Sequence, residues 1–239
     1  MTRIAFVTDS TCDLPPEWQG RSRLHVLPVH IHFGESSLRE GVDIDEVAFY
    51  ERVNREGAIP RTSQPSPGEF ADLYHSLAAT HDAILSLHIG GKLSGTYQSA
   101  MLAKEMIGDQ IAIYPFDSDC GSLGLGFMAM EAVQMVEDGS TIPQVLARLD
   151  YIRRGMNIFL SPDTLKYVQM SGRISALGSA VASLLNIKPI IQLHEGQLLA
   201  GERVRTRKRA LHTMVERMAE RLNGAPARVG VADARAEED

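Results

Sequence analysis

Cysteine is scarce in this sequence. Its 239 residues hold two, Cys12 and Cys120, with no Cys-x-x-Cys pair. A disulfide scaffold is excluded, and a reducing compartment is the default. Long apolar runs are also missing. The first, Ile4 to Val7, ends at once in Thr8-Asp9-Ser10-Thr11, which is too short for a secretory signal. No stretch approaches the roughly 18 apolar residues of a membrane span. Positive charge is not in excess either: 24 Lys and Arg face 30 Asp and Glu, a net charge of −6. Proteins that bind duplexes present a basic face, so nucleic acid is not an expected partner. Stable membrane insertion is not expected, and the chain reads as soluble and cytoplasmic. Several motifs of nucleotide and acyl chemistry are absent as well. Lys92 follows Gly91 but precedes Leu93, so there is no phosphate-binding P-loop. Gly121, Gly124 and Gly126 run in the wrong order for a dinucleotide fingerprint. Gly-x-Ser-x-Gly is not found, which weakens a hydrolase reading.

What remains is an ordinary globular composition, 44% hydrophobic and 23% charged, at a length that fits one large domain or two small ones. Residues 1–154 alternate apolar strand and helix. Strands are expected at Arg3–Thr8, Ala83–His88 and Ile111–Phe116, with helices after Asp45, Ser66, Thr96, Gly121 and Thr141. Ser66-Pro67-Gly68-Glu69 combines a cap, a first-turn proline and a capping-box glutamate. Leu24–Phe33 carries Pro28 and reads as an edge strand within an excursion near residues 24–60. This alternation implies a mostly parallel, doubly wound sheet. Residues 155–239 read as an α+β domain. It has strands near Ile158–Leu160 and Ile187–Leu193, helices near Asp163–Met170 and Ala176–Leu185, and a hairpin turn at Glu195-Gly196. A basic helix follows at Thr206–Leu222, then a strand at Arg228–Ala232. A chain that stops soon after a fresh apolar strand reads as incomplete at its C-terminal end.

Ligands of doubly wound sheets bind beyond the carboxyl ends of the strands. Hydroxyl-rich turns fall there: Asp9-Ser10-Thr11, His88 to Thr96, and Asp117-Ser118-Asp119. A further such turn, Thr62-Ser63-Gln64-Pro65-Ser66, opens a helix. Helix N-termini add free N–H groups and a positive dipole end. Together they form an anion site with no cation at its centre, suited to one carboxylate. Helix capping alone also accounts for Ser63, Ser66 and Ser94. Asp117 and Asp119 form a D-x-D that suits Mg²⁺, or a polar turn in which Asp119 caps a helix. Cys12 or Cys120 could serve as a nucleophile. His30 and His32 share a strand face and could ligate a metal, but no third ligand is apparent, and an exposed edge strand is the simpler reading. The segment Arg203, Arg205, Arg207, Lys208, Arg209 is a solvated helix start or a docking patch. Ten methionines suit an adaptable apolar cavity or plain core filling.

These motifs also resemble a known family. Phe6 to Leu14 (FVTDSTCDL), Arg61 to Phe70 (RTSQPSPGEF) and Leu85 to Ala100 (LSLHIGGKLSGTYQSA) resemble the first blocks of the DegV family. Ser171 to Ser175 and Ile187 to Ile190 resemble its downstream blocks. The resemblance implies a two-domain fatty-acid-binding protein, a carrier rather than an enzyme, with no cofactor or metal. It implies a carboxylate held by Thr62 and Ser94, with Ser63, Gly95 and Thr96 around it, and an acyl tail in an apolar tunnel between the domains. It further implies presentation of a long-chain fatty acid to a fatty acid kinase, for which Arg173, Arg205 and Arg207 are candidate docking residues. The alternative is a small-molecule phosphotransferase or hydrolase using Asp117 and Asp119, or Cys120. The sequence departs from the family pattern in three ways. Gly90 and Gly91 stand where serines are commoner, which implies a looser loop. Ser171 stands where glycine is commoner. A His-x-Gly-Pro-Gly type segment expected near the C-terminal end is missing from these residues.

Overall fold

Apolar residues without alternation fill Ile4–Asp9 (β1), and every one of its side chains is buried. Strands covered on both faces read this way. The computed structural model describes residues 2–18, 20–21, 23–57, 59–173, 187–234 and 236. Two compact units divide the chain, Met1–Arg154 and Gly155–Asp239. In the first, β1 is followed by Leu24–Leu27 (β2), His30–Phe33 (β3), Ser36–Arg39 (β4), Glu46–Glu56 (α1) and Arg61–Ser63 (β5). Then come Pro67–Ala78 (α2), Ala83–His88 (β6), Thr96–Ile107 (α3), Ala112–Asp117 (β7), Ser122–Glu137 (α4) and Ile142–Gly155 (α5). The second unit holds Ile158–Leu160 (β8), Lys166–Met170 (α6), Lys188–His194 (β9), Gln197–Val204 (β10) and Arg207–Leu222 (α7).

The main sheet has the order β2-β1-β6-β7, and each pairing is parallel. One face packs Ala5, Val7 and Ile84 against Phe70, Tyr74 and Leu77 of α2 and Ala100, Ala103 and Ile107 of α3. The other face carries Phe6 and its register partner Leu85, both wholly buried, and α4 packs on β1 and β6. Eight residues of α4 are buried, in keeping with a helix that is apolar on most sides. The doubly wound expectation therefore holds. α2 begins as its sequence requires: Ser66 Oγ accepts from the Glu69 N–H at 3.2 Å, and the Glu69 carboxylate accepts from the Ser66 N–H at 2.8 Å.

The Leu24–Phe33 segment differs from expectation. It is not one edge strand. Pro28 interrupts it, because proline cannot donate to a ladder. β2 ends before the proline and is the edge of the main sheet, while β3 begins after it and lies at the centre of a separate antiparallel sheet, β4-β3-β5. β4 and β5 were not expected. They are four and three residues long and carry mostly polar side chains, too little for a period-2 pattern.

In the second unit β9 pairs antiparallel with β8 and β10. Ile191 packs against Leu160, Leu165, Val168 and Leu198, and α7 packs on β9 and β10. The hairpin turn is as expected: Glu195 and Gly196 have φ of 47° and 73°, the two positive values of a type I′ turn. The helix expected at Ala176–Leu185 lies outside the described residues. The strand expected at Arg228–Ala232 is not formed. Val229 and Val231 are 53% and 90% exposed, and among the described residues no strand pairs with this segment. Alternating valines favour a strand only where a neighbour accepts its ladder.

Gly126 of α4 sits against the chain that leaves β1. A Cβ there would lie 2.8 Å from the Asp13 carbonyl oxygen. In most helices Gly→Ala adds about 0.5–1 kcal/mol. Here the contact is backbone, which cannot move aside. Gly126→Ala is therefore expected to lower unfolding stability by about 1–3 kcal/mol in denaturant titration; a gain would show that α4 is not seated against Asp13.

Candidate functional site

Because β1, β6 and β7 are adjacent and parallel, their carboxyl ends share one edge of the sheet. The hydroxyl turns that follow them are thereby gathered at the place where open α/β sheets bind ligands. The segment after β6 is tied down on both sides. The Ile89 N–H donates to Asp9 Oδ2 of β1 at 3.0 Å. The Gly90 N–H donates to the Cys120 carbonyl at 2.7 Å. The Gly91 N–H donates to Asp117 Oδ1 of β7 at 3.1 Å. The chain then turns, with the Leu93 and Ser94 N–H groups both donating to the Gly90 carbonyl. The two glycines do not loosen this loop, as the sequence comparison implied. A Cβ at Gly90 would lie 3.0 Å from the Asp119 carbonyl carbon, and one at Gly91 would lie 2.8 Å from Asp117 Oδ2. They permit the close packing that holds the loop.

Ser94 is half-buried, and its Oγ lies 2.9 Å from Oγ1 of Thr96, which is wholly buried. Gly95 caps α3 without a side-chain hydrogen bond, so the positive end of the helix faces this turn. The two candidate blocks meet at Gly95. A Cβ there would lie 2.8 Å from Nε2 of the exposed Gln64 side chain, so Gln64 lies over the Ser94 turn. That contact places the Thr62–Ser66 segment beside the Ser94–Thr96 segment. Thr62 is exposed on β5, paired in register with Ile31. Ser63 Oγ lies 2.8 Å from His32 Nε2. His30 is held by Glu69 Oε1 at 2.8 Å. The two histidines thus brace β5 and the α2 cap from β3, and neither lies on an edge strand. Among the described residues no group of three or more His, Cys, Asp or Glu is placed to hold a metal ion.

Beneath the loop lies a buried polar chain that was not foreseen. Asp9, Ser86 and His88 are at 0% exposure, as is Tyr74 of α2. Tyr74 Oη lies 2.6 Å from Ser86 Oγ, Ser86 Oγ lies 2.6 Å from His88 Nε2, and His88 Nδ1 lies 3.1 Å from Asp9 Oδ2. Asp9 Oδ1 also accepts from the Thr11 N–H at 3.2 Å and the Thr11 hydroxyl at 2.5 Å. Burial would raise the Asp9 pKa, but the His88, Thr11 and Ile89 donors outweigh it and hold the carboxyl below its usual range. The order Asp-His-Ser matches a hydrolytic triad. Ser86 is nevertheless no nucleophile, because it lies inside the sheet and its Oγ is shared with Tyr74. A signal was present in the sequence: Ser86 and His88 are two apart on one strand, hence on one face.

The residues proposed for an enzyme are otherwise engaged. The Asp117 carboxylate accepts from the Gly91 and Asp119 N–H groups. Asp119 does not cap α4. It has φ 54°, and its carboxylate lies 3.8 Å from the Arg153 guanidinium. Arg153 also donates to the Asp117 carbonyl at 3.1 Å and to Asp150 at 2.6 Å, and escaped notice in the sequence. Both cysteines are buried. Burial pushes each thiol up to about 12, with nearby carboxylates acting in the same direction. Such sulfurs carry almost no thiolate at neutral pH, so the nucleophile reading fails for Cys12 and Cys120.

The basic candidates lie in the second unit. Arg173 donates to the Ser171 carbonyl at 2.8 Å. Arg205 is exposed ahead of α7. Arg207 donates to the Ser161 carbonyl, which commits it to the fold of this unit. No helix among the described residues is long and apolar enough to cross a membrane.

Residues 3–239 match the family model described as "Uncharacterised protein, DegV family". The chain is 35% identical over 238 residues to Protein DegV of Bacillus subtilis, covering 99% of this chain and 84% of that one. Its fold superposes on a fatty-acid-binding DegV family protein from Thermus thermophilus with a TM-score of 0.84 at 37% identity, covering 93% and 79% of the two chains. It superposes on DegV, a fatty acid binding protein from Bacillus subtilis, with a TM-score of 0.85 at 33% identity and the same coverage. By sequence over nearly its whole length, and by fold, the chain belongs to the DegV family.

Proposed function

We propose that this protein is a carrier of long-chain fatty acids, with the carboxylate received by the Thr62 and Ser94 hydroxyls. Ser63, Thr96 and the backbone at Gly95 form the surrounding shell. The observation that carries the reading is the closeness of Gln64 to Gly95, by which two hydroxyl segments lie near one another at the positive end of α3. Family relatives described as fatty acid binding support the choice of ligand. A site built of hydroxyls and amides holds one carboxylate reversibly. Desolvating that group is costly, and charge-assisted hydrogen bonds of about 1.5–3 kcal/mol each offset the cost. Each buried CH₂ adds about 0.8 kcal/mol before ordering costs. The tail therefore supplies most of the affinity, and the head group sets orientation.

The finer reading is that the bound acid is presented to a fatty acid kinase. Lys208 and Arg209 follow Arg207, itself engaged with Ser161, at the start of α7, with no acidic residue in its first turn. Cations there oppose the helix dipole, a local cost that a docking surface for an acidic partner would explain. Arg205, exposed just ahead of that helix, and Arg173, exposed in the same unit, are further candidates for such docking.

Denaturing lipid extraction of the purified protein followed by mass spectrometry is expected to yield a stoichiometric long-chain fatty acid. Ser94→Ala and Thr62→Ala should each weaken retention by about tenfold, the loss of one hydrogen bond to a charged group, with the melting temperature within a few degrees. Unchanged lipid occupancy in both variants would refute the site. The competing thiol chemistry has its own check. Native protein at pH 8 should resist iodoacetamide at Cys12 and Cys120 for hours and react within minutes once unfolded. Rapid native alkylation of Cys120 would reopen the enzyme reading.

A further inference from the structure

The loop that carries Ser94 is anchored to a carboxylate whose hydrogen-bonding neighbours are all donors. Asp9 Oδ2 receives the Ile89 N–H and His88 Nδ1; Oδ1 receives the Thr11 N–H and the Thr11 hydroxyl. Two of these donors are backbone groups and cannot be reassigned. A carboxylate, which only accepts, satisfies all of them; an amide cannot. With Nδ1–H committed to Asp9, a His88 ring that carries a single proton accepts at Nε2. Ser86 then donates to His88, and Tyr74 donates to Ser86. Only one direction of hydrogen bonding runs through the chain, from Tyr74 to Asp9, and it leaves no buried proton or lone pair in conflict. Phe70 closes it off, its ring at 4.9 Å from the His88 ring in an edge arrangement.

We infer that Asp9 and His88 are positioning residues: they fix the Ile89 end of the loop, and so set the placement of Ser94 and the α3 N-terminus for ligand. Asp117 clamps the same loop at Gly91 from the opposite side. The inference rests on the proposed fatty-acid site for its ligand, but not for its geometry, which can be read without ligand.

Two variants separate positioning from plain structural support. Asp9→Asn keeps size and shape yet turns an amide NH₂ toward one of two backbone donors, Ile89 N–H or Thr11 N–H, whichever way it flips. Tyr74→Phe removes the far hydroxyl and leaves every group at Asp9 satisfied. Amide hydrogen exchange at Ile89–Ser94, palmitate affinity and melting temperature are measured for each. Asp9→Asn is expected to speed loop exchange and weaken palmitate binding by about tenfold each, as one orphaned buried donor implies. Tyr74→Phe should leave both within about twofold, whatever its melting temperature. If both variants lose affinity in proportion to lost stability, or if Asp9→Asn leaves exchange unchanged, the positioning role is overturned. If the wild type fails to bind palmitate, the fatty-acid reading falls, while the exchange comparison still decides the clamp. Nitrogen-15 NMR of His88 in the wild type needs no variant that folds. An Nδ1–H neutral ring supports the directed chain, and an Nε2–H ring or an imidazolium overturns it.

Discussion

One buried carboxylate organises the carboxyl edge of the main sheet. Asp9 ends β1 wholly out of solvent, where an unpartnered charge would be prohibitive. It is tolerable because donors from Thr11, His88 and Ile89 surround it. Those bonds run in two directions. The Thr11 pair folds the turn after β1 back on itself, and the others reach across to β6 and the loop beyond. The charge therefore stitches two parallel strands together at the point where each gives way to irregular chain. Parallel strands lack a hairpin to hold their ends, and here a side chain supplies that link.

The loop after β6 depends on this arrangement from the other side as well. Asp117 at the end of β7 receives the Gly91 N–H, and the Cys120 carbonyl receives the Gly90 N–H. The loop is thus held between the ends of β1 and β7, and the absence of side chains at positions 90 and 91 is what lets it lie there. A serine at Gly90 would press its Cβ on the backbone of Asp119 and Cys120. Relative to a chain with serines in the loop, two hydroxyls are given up and closeness is gained. The hydroxyls at Ser94 and Thr96 then follow a loop anchored on both sides, the kind of support that the proposed site of weak individual donors requires.

Much of the frame was legible in the sequence because its signals are local. Continuous apolar runs marked β1 and β6, and Ser66-Pro67-Gly68-Glu69 marked the start of α2. Glu195-Gly196 marked a hairpin turn. The small sheet β4-β3-β5 was not legible. Its strands are short, β4 and β5 carry mostly polar side chains, and it is held by pairing between segments distant in sequence, such as His32 with Arg61. The valines after α7 misled for the converse reason, since β propensity without a pairing strand makes no strand. The candidate site divides in the same way. Its hydroxyl turns could be read from residue type and from family likeness. The Asp9-His88-Ser86-Tyr74 chain joins positions 79 apart at its longest step, and nothing in local pattern announces a partner at that distance.

The buried chain also explains why an arrangement with the order of a hydrolytic triad sits in a protein read here as a carrier. A nucleophilic serine must meet substrate and must lose its proton to histidine as it attacks. Ser86 can do neither: it is in register with Val7 and Pro115 in the middle of the sheet, and its oxygen is occupied by Tyr74. Histidine accepts from serine in both settings, but in a hydrolase the serine proton is released during turnover. In this chain it is held as part of a closed set of bonds whose last member is the Ile89 amide. The same three residue types thus give rigidity instead of reactivity, and the difference lies in burial and in what occupies the serine oxygen.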